Sequence, residues 1–365
     1  MCSAYPFKAL KSTQSTHMRL GFMLWLLLLQ VAVVVVSILM LSQPLHPHKG
    51  QRDIRLGQQD LALGHQDTRL SQLEATDKLG LCRLTQAAFE ATKLKLVTPL
   101  HTADSPQPPR WGVVEFAPVP RFVMSTHDPV TEDVYISGSV HAGLAPWDPY
   151  VWDLFARVLK PGGGGLVVDV GANLGYFSLM AAALGYQVVA FEPMERNVVR
   201  FLASIAHNDG FAARITVYQN AVAHETGRSV ALRPTHNTTN YGNGQIAVDG
   251  PTTTTTVRLD DVFSPSTTAI ELLKLDVEGF ELSALDGARR LLCSGAIRRI
   301  VLEWSDATRE NPECPARDGL RRLVELGYTL SDIVPDAPSL SPDTPDLPPN
   351  LLLTLRHASD VASSC

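Results

Sequence analysis

The sequence predicts a doubly wound α/β fold built on a mostly parallel sheet. Apolar, strand-like runs alternate with amphipathic helical segments from about residue 160 onward, which is the pattern of a parallel sheet covered by helices. The run Leu166–Val170 is apolar without alternation, as expected of a strand buried on both faces. It leads into a turn that carries two glycines. In such folds ligands bind beyond the carboxyl ends of the strands.

Length, composition and charge limit the function. At 365 residues and 45% hydrophobic content, the chain can form one large domain with appendages. Its net charge is −6, and no Lys/Arg-rich segment is interleaved with aromatic residues. These features argue against a nucleic-acid partner. The sequence does not indicate an oligomeric state.

The N-terminal region predicts a membrane anchor. Residues 1–19 form a short basic tail, and residues 20–41 are almost wholly apolar. At about 1.5 Å per residue, this run can cross a hydrocarbon core about 30 Å thick. It exceeds the apolar region of a cleaved signal peptide. We therefore expect a single transmembrane helix that is retained as a signal anchor.

The charges flanking this segment favour one orientation. Arg19 adjoins the apolar run, whereas Lys49 is the first basic residue after it. Lys49, Arg52 and Arg55 balance the basic tail in number, but the closeness of Arg19 favours a cytosolic N-terminus by the positive-inside rule. We expect the domain to be luminal, in the Golgi or endoplasmic reticulum. The glycosylation sequon at Asn237 agrees with this orientation.

Composition then divides the rest of the chain. Residues 42–110, rich in polar residues and later in proline, predict a stem and linker, and residues 111–365 a folded domain with its core at 160–305. Short strands are predicted at 113–116 and 134–138, and a helix at 147–159. Further strands are predicted at 166–170, 188–191, 215–219, 271–276, 299–303, 329–334 and 351–355, and helices at 175–184, 195–208, 281–292 and 317–326.

The cysteines leave two alternatives open. Five cysteines are scattered without the close pairs of a zinc site. If the domain is luminal, Cys293 and Cys314 are the favoured disulfide pair. Free buried thiols fit the sequence equally well.

The turn after the first core strand predicts a cofactor site. Gly171 and Gly175 allow a tight turn and close approach to the backbone, and Asn173 tolerates unusual dihedral angles. The spacing Gly-x-Asn-x-Gly differs from a dinucleotide fingerprint. Asp169 would repel a pyrophosphate but suits a cofactor with an amine and a sulfonium. We expect this loop to bind S-adenosylmethionine.

Three further residues are candidates for the same cofactor. Glu192 ends the next strand, 23 positions after Asp169, near the place of the acid that binds ribose hydroxyls in such folds. Asn208 and Asn220 end the following helix and strand, where an amide could contact adenine. Both asparagines could equally be a helix cap or a turn residue.

A second charged segment predicts the reactive wall of the crevice. Alternation along the strand puts Lys274, Asp276 and Glu278 on one face. Such charges are costly unless they are paired or lie in a cleft. They indicate catalysis, although a structural ion-pair network would have the same pattern. The polar segment 237–256 is expected to contribute contacts to the acceptor.

These motifs together resemble the FkbM family of S-adenosylmethionine-dependent methyltransferases. The similar stretches, over roughly residues 130–305, are Val168 to Tyr176, Phe191-Glu192-Pro193, Leu259-Asp260-Asp261 and Leu273 to Glu281. The resemblance implies a class I methyltransferase (Rossmann-like) fold and O-methylation of a hydroxyl on a sugar or natural product. It does not explain the anchor, the stem or the Pro-rich segment 335–349.

The expected chemistry is methyl transfer to a sugar hydroxyl of a glycan or glycoconjugate. Asp276 or Glu278 would take the proton from the hydroxyl, with Lys274 tuning the pair, and His141 is a weaker candidate. A membrane-anchored, metal-dependent glycosyltransferase using Asp276 and Glu278 is the main alternative. It leaves Glu192 and the loop without a role, and no metal site is predicted. A non-catalytic scaffold is the third interpretation.

Overall fold

The structure, a computed structural model, describes residues 94–97, 109–234, 240, 244–247, 250, 252–309 and 316–357. In this part of the chain no helix is both long and apolar enough to cross a bilayer. The predicted tail and anchor at 1–41, most of the stem, the sequon at Asn237, and Cys314 lie outside the described residues.

The elements follow the predicted alternation. The strands are β1 (Leu96–Val97), β2 (Arg110–Val114), β3 (Phe122–Thr126), β4 (Leu166–Val170), β5 (Gln187–Phe191), β6 (Ile215–Tyr218), β7 (Ala221–Val222), β8 (Ser229–Pro234), β9 (Gly244–Ala247), β10 (Thr252–Val257), β11 (Ile270–Leu275), β12 (Arg299–Glu303), β13 (Tyr328–Asp332) and β14 (Asn350–Leu355). The helices are α1 (Ile136–Ala142), α2 (Pro149–Val158), α3 (Tyr176–Ala183), α4 (Glu195–His207), α5 (Leu259–Val262), α6 (Glu281–Asp286), α7 (Arg289–Cys293), α8 (Asp306–Arg309) and α9 (Ala316–Glu325).

Eight strands form the main sheet, in the order β1-β6-β5-β4-β11-β12-β14-β13. The five central strands are parallel, whereas β1 and β14 pair antiparallel to their neighbours. The mixed α/β fold with a large, mostly parallel sheet is confirmed. Chain order reverses direction between β4 and β11, which is where such sheets bind ligands.

Both faces of the sheet are buried, as the unbroken apolar runs predict. One core packs α2, α3 and α4 against residues such as Val167 and Val188. The other packs α6, α7 and α9 against residues such as Val168 and Leu273. Successive strand residues thus enter opposite cores, and polar side chains collect where the strands end.

Two predictions about the described residues before β4, 94–97 and 109–165, are corrected; we call these residues the lead-in region. Strand β1 falls in the predicted linker, yet Leu94 is buried in the core and β1 pairs with β6. The expected strand at 134–138 is instead helix α1. The carboxylate of Asp133 accepts from the N–H groups of Ile136 and Ser137 at 3.2 and 2.8 Å and so satisfies the free donors of the first helical turn.

The predicted helix at 281–292 is two helices, α6 and α7. Gly287 separates them, and a Cβ there would lie 2.2 Å from the carbonyl oxygen of Ala223. The close approach of this neighbouring segment fixes the break. Cys293, at the end of α7, is disulfide-bonded, so it is not a free thiol. Its partner is outside the described residues.

Candidate functional site

The ends of the central strands enclose a cavity of about 380 Å³. We call residues 170–173, at the end of β4, and residues 191–194, at the end of β5, the loop wall. Residues 274–278 and Glu303, at the ends of β11 and β12, form the acid wall. The lead-in region covers the cavity with Tyr135 and Trp147, among others.

The backbone of the loop wall is held against β5. The N–H groups of Gly171 and Ala172 both donate to the carbonyl oxygen of Phe191, at 2.9 and 3.0 Å. Asn173 has a φ of +52°, a left-handed conformation that asparagine tolerates. The tight turn predicted from the glycines and Asn173 is therefore present, and it lines the cavity.

Gly171 also joins the two walls. Its φ is +80°, and a Cβ would lie 1.8 Å from the carbonyl oxygen of Asp276. The N–H of Asp276 in turn donates to the carbonyl oxygen of Val170 at 3.1 Å. A side chain at Gly171 would push the acid wall away from the loop wall.

Glu192 lines the cavity as a buried carboxylate, 4% exposed. It accepts from the N–H of Asn173 at 2.8 Å, from the N–H of Met194 at 2.9 Å and from the side chain of Asn197 at 3.2 Å. Burial raises the pKa of Glu192 to about 7, although these donors favour the charged form. The acid is fixed in one orientation and titrates near neutral pH.

Two predicted cofactor residues lie behind the cavity, not on its surface. Asp169 is 1% exposed, accepts from the Ser178 hydroxyl at 2.6 Å and lies 3.6 Å from Lys274 Nζ. Gly175 begins α3, where a Cβ would lie 2.1 Å from the ring of Phe201. Asp169 is thus a buried countercharge, and Gly175 permits close helix packing.

Of the two predicted asparagines, Asn208 and Asn220, only Asn220 lies at the cavity. Asn208 follows the 13-residue helix α4, about 20 Å from the helix start at the cavity. Its amide bonds the N–H and the carbonyl oxygen of Val123 at 2.8 and 2.7 Å, so its predicted place at the cofactor is corrected. Asn220 does line the cavity, with its amide bonded to Lys95 and Thr255.

The acid wall contains the predicted charged triplet. Lys274 is 5% exposed, and its Nζ lies 3.0 Å from Asp276 and 5.6 Å from the centre of the Phe177 ring. Burial alone would lower the pKa of Lys274, but Asp276 and Asp169 together raise it. The lysine is therefore a permanent positive charge. Glu278 follows with a φ of +54°, which turns the chain at the cavity edge.

Glu303 is a third acid that the sequence interpretation missed. It ends β12 and lines the cavity, and burial followed by repulsion from Asp276 and Glu278 raises its pKa to about 9. One carboxylate oxygen each of Asp276, Glu278 and Glu303 lie within 4.8 Å of one another. The three acids have the oxygen ligands that a divalent cation prefers. The available signal was an acid ending the strand next to Asp276.

The lead-in region supplies a fourth acid. Asp148 lines the cavity, has a φ of +40° and accepts from the N–H of Val151 at 3.2 Å, which caps helix α2. Burial, and then repulsion from Asp276, raise the pKa of Asp148. In the sequence, Trp147-Asp148 stands where the family that the chain resembles more commonly has Trp-Glu, but Asp148 was not predicted as a site residue. His141 is not at the cavity; its ring bonds Thr126 at 2.9 Å.

The polar segment at 237–256 contributes in part. Asn240 and Gly244 line the cavity, whereas the threonine run forms β10, which pairs with β7 and β8 in a second sheet. Asp260, in the same region, is structural because it accepts from the N–H groups of Arg290 and Leu291 at the start of α7.

Residues 169–330 match the methyltransferase FkbM domain. The match begins at the end of β4 and spans both walls, and it leaves the lead-in region outside. No curated protein matches the chain.

Two solved structures are similar at low identity. One is an rRNA methylase from Streptococcus thermophilus, with 15% identity, 56% of this chain and 93% of that chain covered, and a TM-score of 0.31. The other is a putative RNA methyltransferase from Pyrococcus horikoshii, with 11% identity, coverage of 58% and 84%, and a TM-score of 0.27. At these scores neither supports an inference about the substrate of this chain.

Proposed function

We propose that this protein is an S-adenosylmethionine-dependent O-methyltransferase that acts on a sugar hydroxyl of a glycan or glycoconjugate. The observation that carries the proposal is the fixed carboxylate of Glu192. It directly follows β5, beside the turn after β4, where acids of such folds bind ribose. It also lies within the FkbM match.

The loop wall offers polar groups that suit the cofactor. A carboxylate has about four acceptor sites, so Glu192 can accept from a ribose hydroxyl besides its protein donors. Gly171 and Asn173 would hold the cofactor at the backbone, and Asn220 would flank its base. When bound, the cofactor supplies a methyl group on a sulfonium, which an acceptor oxygen attacks in line.

The acid wall can prepare the acceptor oxygen. Asp276 is held by Lys274 and its side chain is 41% exposed, so a hydroxyl in the cavity can reach it. Asp276 or Glu278 takes the proton of that hydroxyl, a contribution of about 10²–10⁴-fold. With its pKa near 9, Glu303 is protonated at neutral pH and can donate a hydrogen bond to a second oxygen of the sugar substrate.

The location of the protein remains part of the proposal. We infer that residues 20–41 anchor it in the membrane and that the catalytic domain is luminal, in the Golgi or endoplasmic reticulum. The disulfide at Cys293 supports this orientation, because disulfides persist in oxidising compartments. A luminal site would give access to glycans.

A second candidate function is a cation-dependent glycosyltransferase. The three carboxylates within 4.8 Å favour it, since nucleotide-sugar enzymes commonly use acids to hold a metal. This function leaves the fixed carboxylate of Glu192 without a role, so it ranks second.

One pair of measurements separates the two functions. The full-length protein is titrated with S-adenosylhomocysteine and, separately, with uridine diphosphate plus Mn²⁺. Micromolar binding of the first alone supports methyl transfer, and binding of the second alone supports glycosyl transfer. Incubation with S-adenosylmethionine and a glycan panel, analysed for a one-methyl mass increase, then identifies the acceptor.

A further inference from the structure

The lead-in strand β3 docks on helix α4 through a ladder of polar side chains. The N–H groups of Val123 and Ser125 donate to Asn208 Oδ1 and Ser204 Oγ, each at 2.8 Å. His127, two residues further, bonds Asn197 Oδ1 through Nε2 at 3.0 Å. Two alternate residues of β3 and His127, which follows the strand, thus meet one face of the helix.

The last of these contacts differs from the others because it continues into the cavity. Asn197 Nδ2 donates to Glu192 Oε1 at 3.2 Å. An ionised carboxylate only accepts, so the amide nitrogen of Asn197 faces Glu192 and its oxygen faces His127. His127 therefore carries its hydrogen on Nε2, and the chain of donors points from His127 to Glu192.

Burial holds this series of hydrogen bonds in one geometry. His127 is 5% exposed, Asn197 0% and Glu192 4%. Burial lowers the pKa of His127, which keeps the ring neutral. The charged groups that surround the ring are Glu132, with Oε2 at 3.9 Å from Nδ1, Asp133 and Arg200.

We propose that His127 is a positioning residue for the cofactor, which acts through Asn197 to hold the carboxylate of Glu192 toward the ribose. The inference rests on the proposed function and extends it. His127 lies in the lead-in region, before the FkbM match begins at residue 169. The cofactor site of this chain would then include a segment outside the matched domain.

The test compares substitutions at His127 with a matched control. His127→Leu removes the donor, whereas His127→Gln keeps an N–H near the position of Nε2. Ser204→Ala breaks a neighbouring contact of the same ladder that does not reach Glu192. Affinity for S-adenosylhomocysteine is measured by calorimetry on the full-length chain, and thermal unfolding without ligand reports the fold.

We expect His127→Leu to weaken binding about tenfold, with His127→Gln and Ser204→Ala within about threefold of wild type. In a Glu192→Gln background, His127→Leu adds no further loss, because both act on the same contact. If His127→Leu does not fold, Asn197→Leu replaces it: this change removes both the acceptor for His127 and the donor to Glu192, and the same tenfold weakening is expected.

If the wild-type chain binds S-adenosylhomocysteine, either of two outcomes overturns the inference and leaves the proposed function intact. In the first, both His127→Leu and Asn197→Leu bind like wild type. In the second, Ser204→Ala weakens binding as much as they do, which would make the ladder purely structural. Failure of the wild-type chain to bind S-adenosylhomocysteine is a different result. It removes the proposed function, and the inference with it.

Discussion

The two walls of the cavity hold their acids in different ways. In the loop wall, Glu192 is surrounded by N–H donors of Asn173, Met194 and Asn197. In the acid wall, the positive charge of Lys274 lies beside Asp276. Glu303, in the same wall, has a buried Oε2 without a hydrogen-bond partner among the described residues. Fixed dipoles keep one acid in place before any ligand arrives. In the acid wall, the side chain of Asp276 is 41% exposed, which suits proton transfer from a bound hydroxyl.

The largest effect is expected at the joint between the walls. Gly171→Ala places a Cβ 1.8 Å from the carbonyl oxygen of Asp276 at a φ of +80°, so both walls must move. We expect a loss of at least about 3 kcal/mol of unfolding free energy and no detectable binding of S-adenosylhomocysteine. Gly164→Ala is the control, since a Cβ there meets open space. Equal thermal unfolding of the two variants would contradict this role of Gly171.

The next effect separates catalysis from cofactor binding. Asp276→Asn with Glu278→Gln should lower kcat about 10²–10⁴-fold, with the affinity for S-adenosylhomocysteine unchanged, because these acids are in the other wall. The measurement is turnover of the acceptor found in the glycan panel, with cofactor saturating. Full turnover by the double variant would show that neither acid is the base.

A smaller effect follows from the titration of Glu192. Oε1 of Glu192 already accepts from two protein donors, so ribose would bind through Oε2. An ionised carboxylate is the stronger acceptor, so affinity for S-adenosylhomocysteine should rise as the pH rises through about 7. Glu192→Gln should bind about tenfold more weakly at pH 8 and lose this pH dependence. A wild-type affinity that is flat between pH 6 and 8 would contradict the assignment.

The same shift makes an opposite prediction for stability without ligand. Because the pKa of Glu192 is raised from 4.5 to about 7 on folding, the folded chain holds this proton more tightly than the unfolded chain. The contribution of Glu192 is thus fully present below about pH 4.5 and is lost as the pH rises through about 7. The unfolding free energy of Glu192→Gln relative to wild type, measured with denaturant, should therefore be greater at pH 8 than at pH 5.

The smallest effect is expected for metal removal. Lys274 Nζ, 3.0 Å from Asp276, already supplies a positive charge to the acid wall. Chelator should therefore leave methyl transfer unchanged within about twofold, whereas loss of turnover and its recovery with Mg²⁺ would establish a cation at the three carboxylates.

The parallel core was predictable because its signals are local. The strands Leu166–Val170 and Arg299–Glu303 have the predicted bounds, since unbroken β-branched runs flanked by turn residues have few alternative structures. The prediction at 134–138 was wrong because Val134 and Ile136 favour strands, whereas capping by Asp133 favours a helix. The residues that contact one another decide such cases, and propensity does not.

The site divides along the same line. Gly171, Asn173, Glu192, Lys274, Asp276 and Glu278 all line the cavity, because the ends of parallel strands meet at one edge. Gly175 and Asn208 do not, since their positions depend on how helices pack. Asp169 lies within β4 and is covered by Ser178 of helix α3. Glu303 could have been predicted as a site residue from strand order alone. The contact between His127 and Asn197 joins residues 70 positions apart, and no sequence pattern indicates it.

The position of β14 has a consequence for biosynthesis. This strand, at residues 350–355, lies inside the sheet between β12 and β13, and the N–H of Trp304 donates to the carbonyl oxygen of Pro349 at 2.6 Å. Until residue 355 has left the ribosome and been released to fold, β12 is an unpaired sheet edge, which is prone to aggregation. The nascent domain is therefore expected to expose this edge until β14 has been synthesised and has paired with β12.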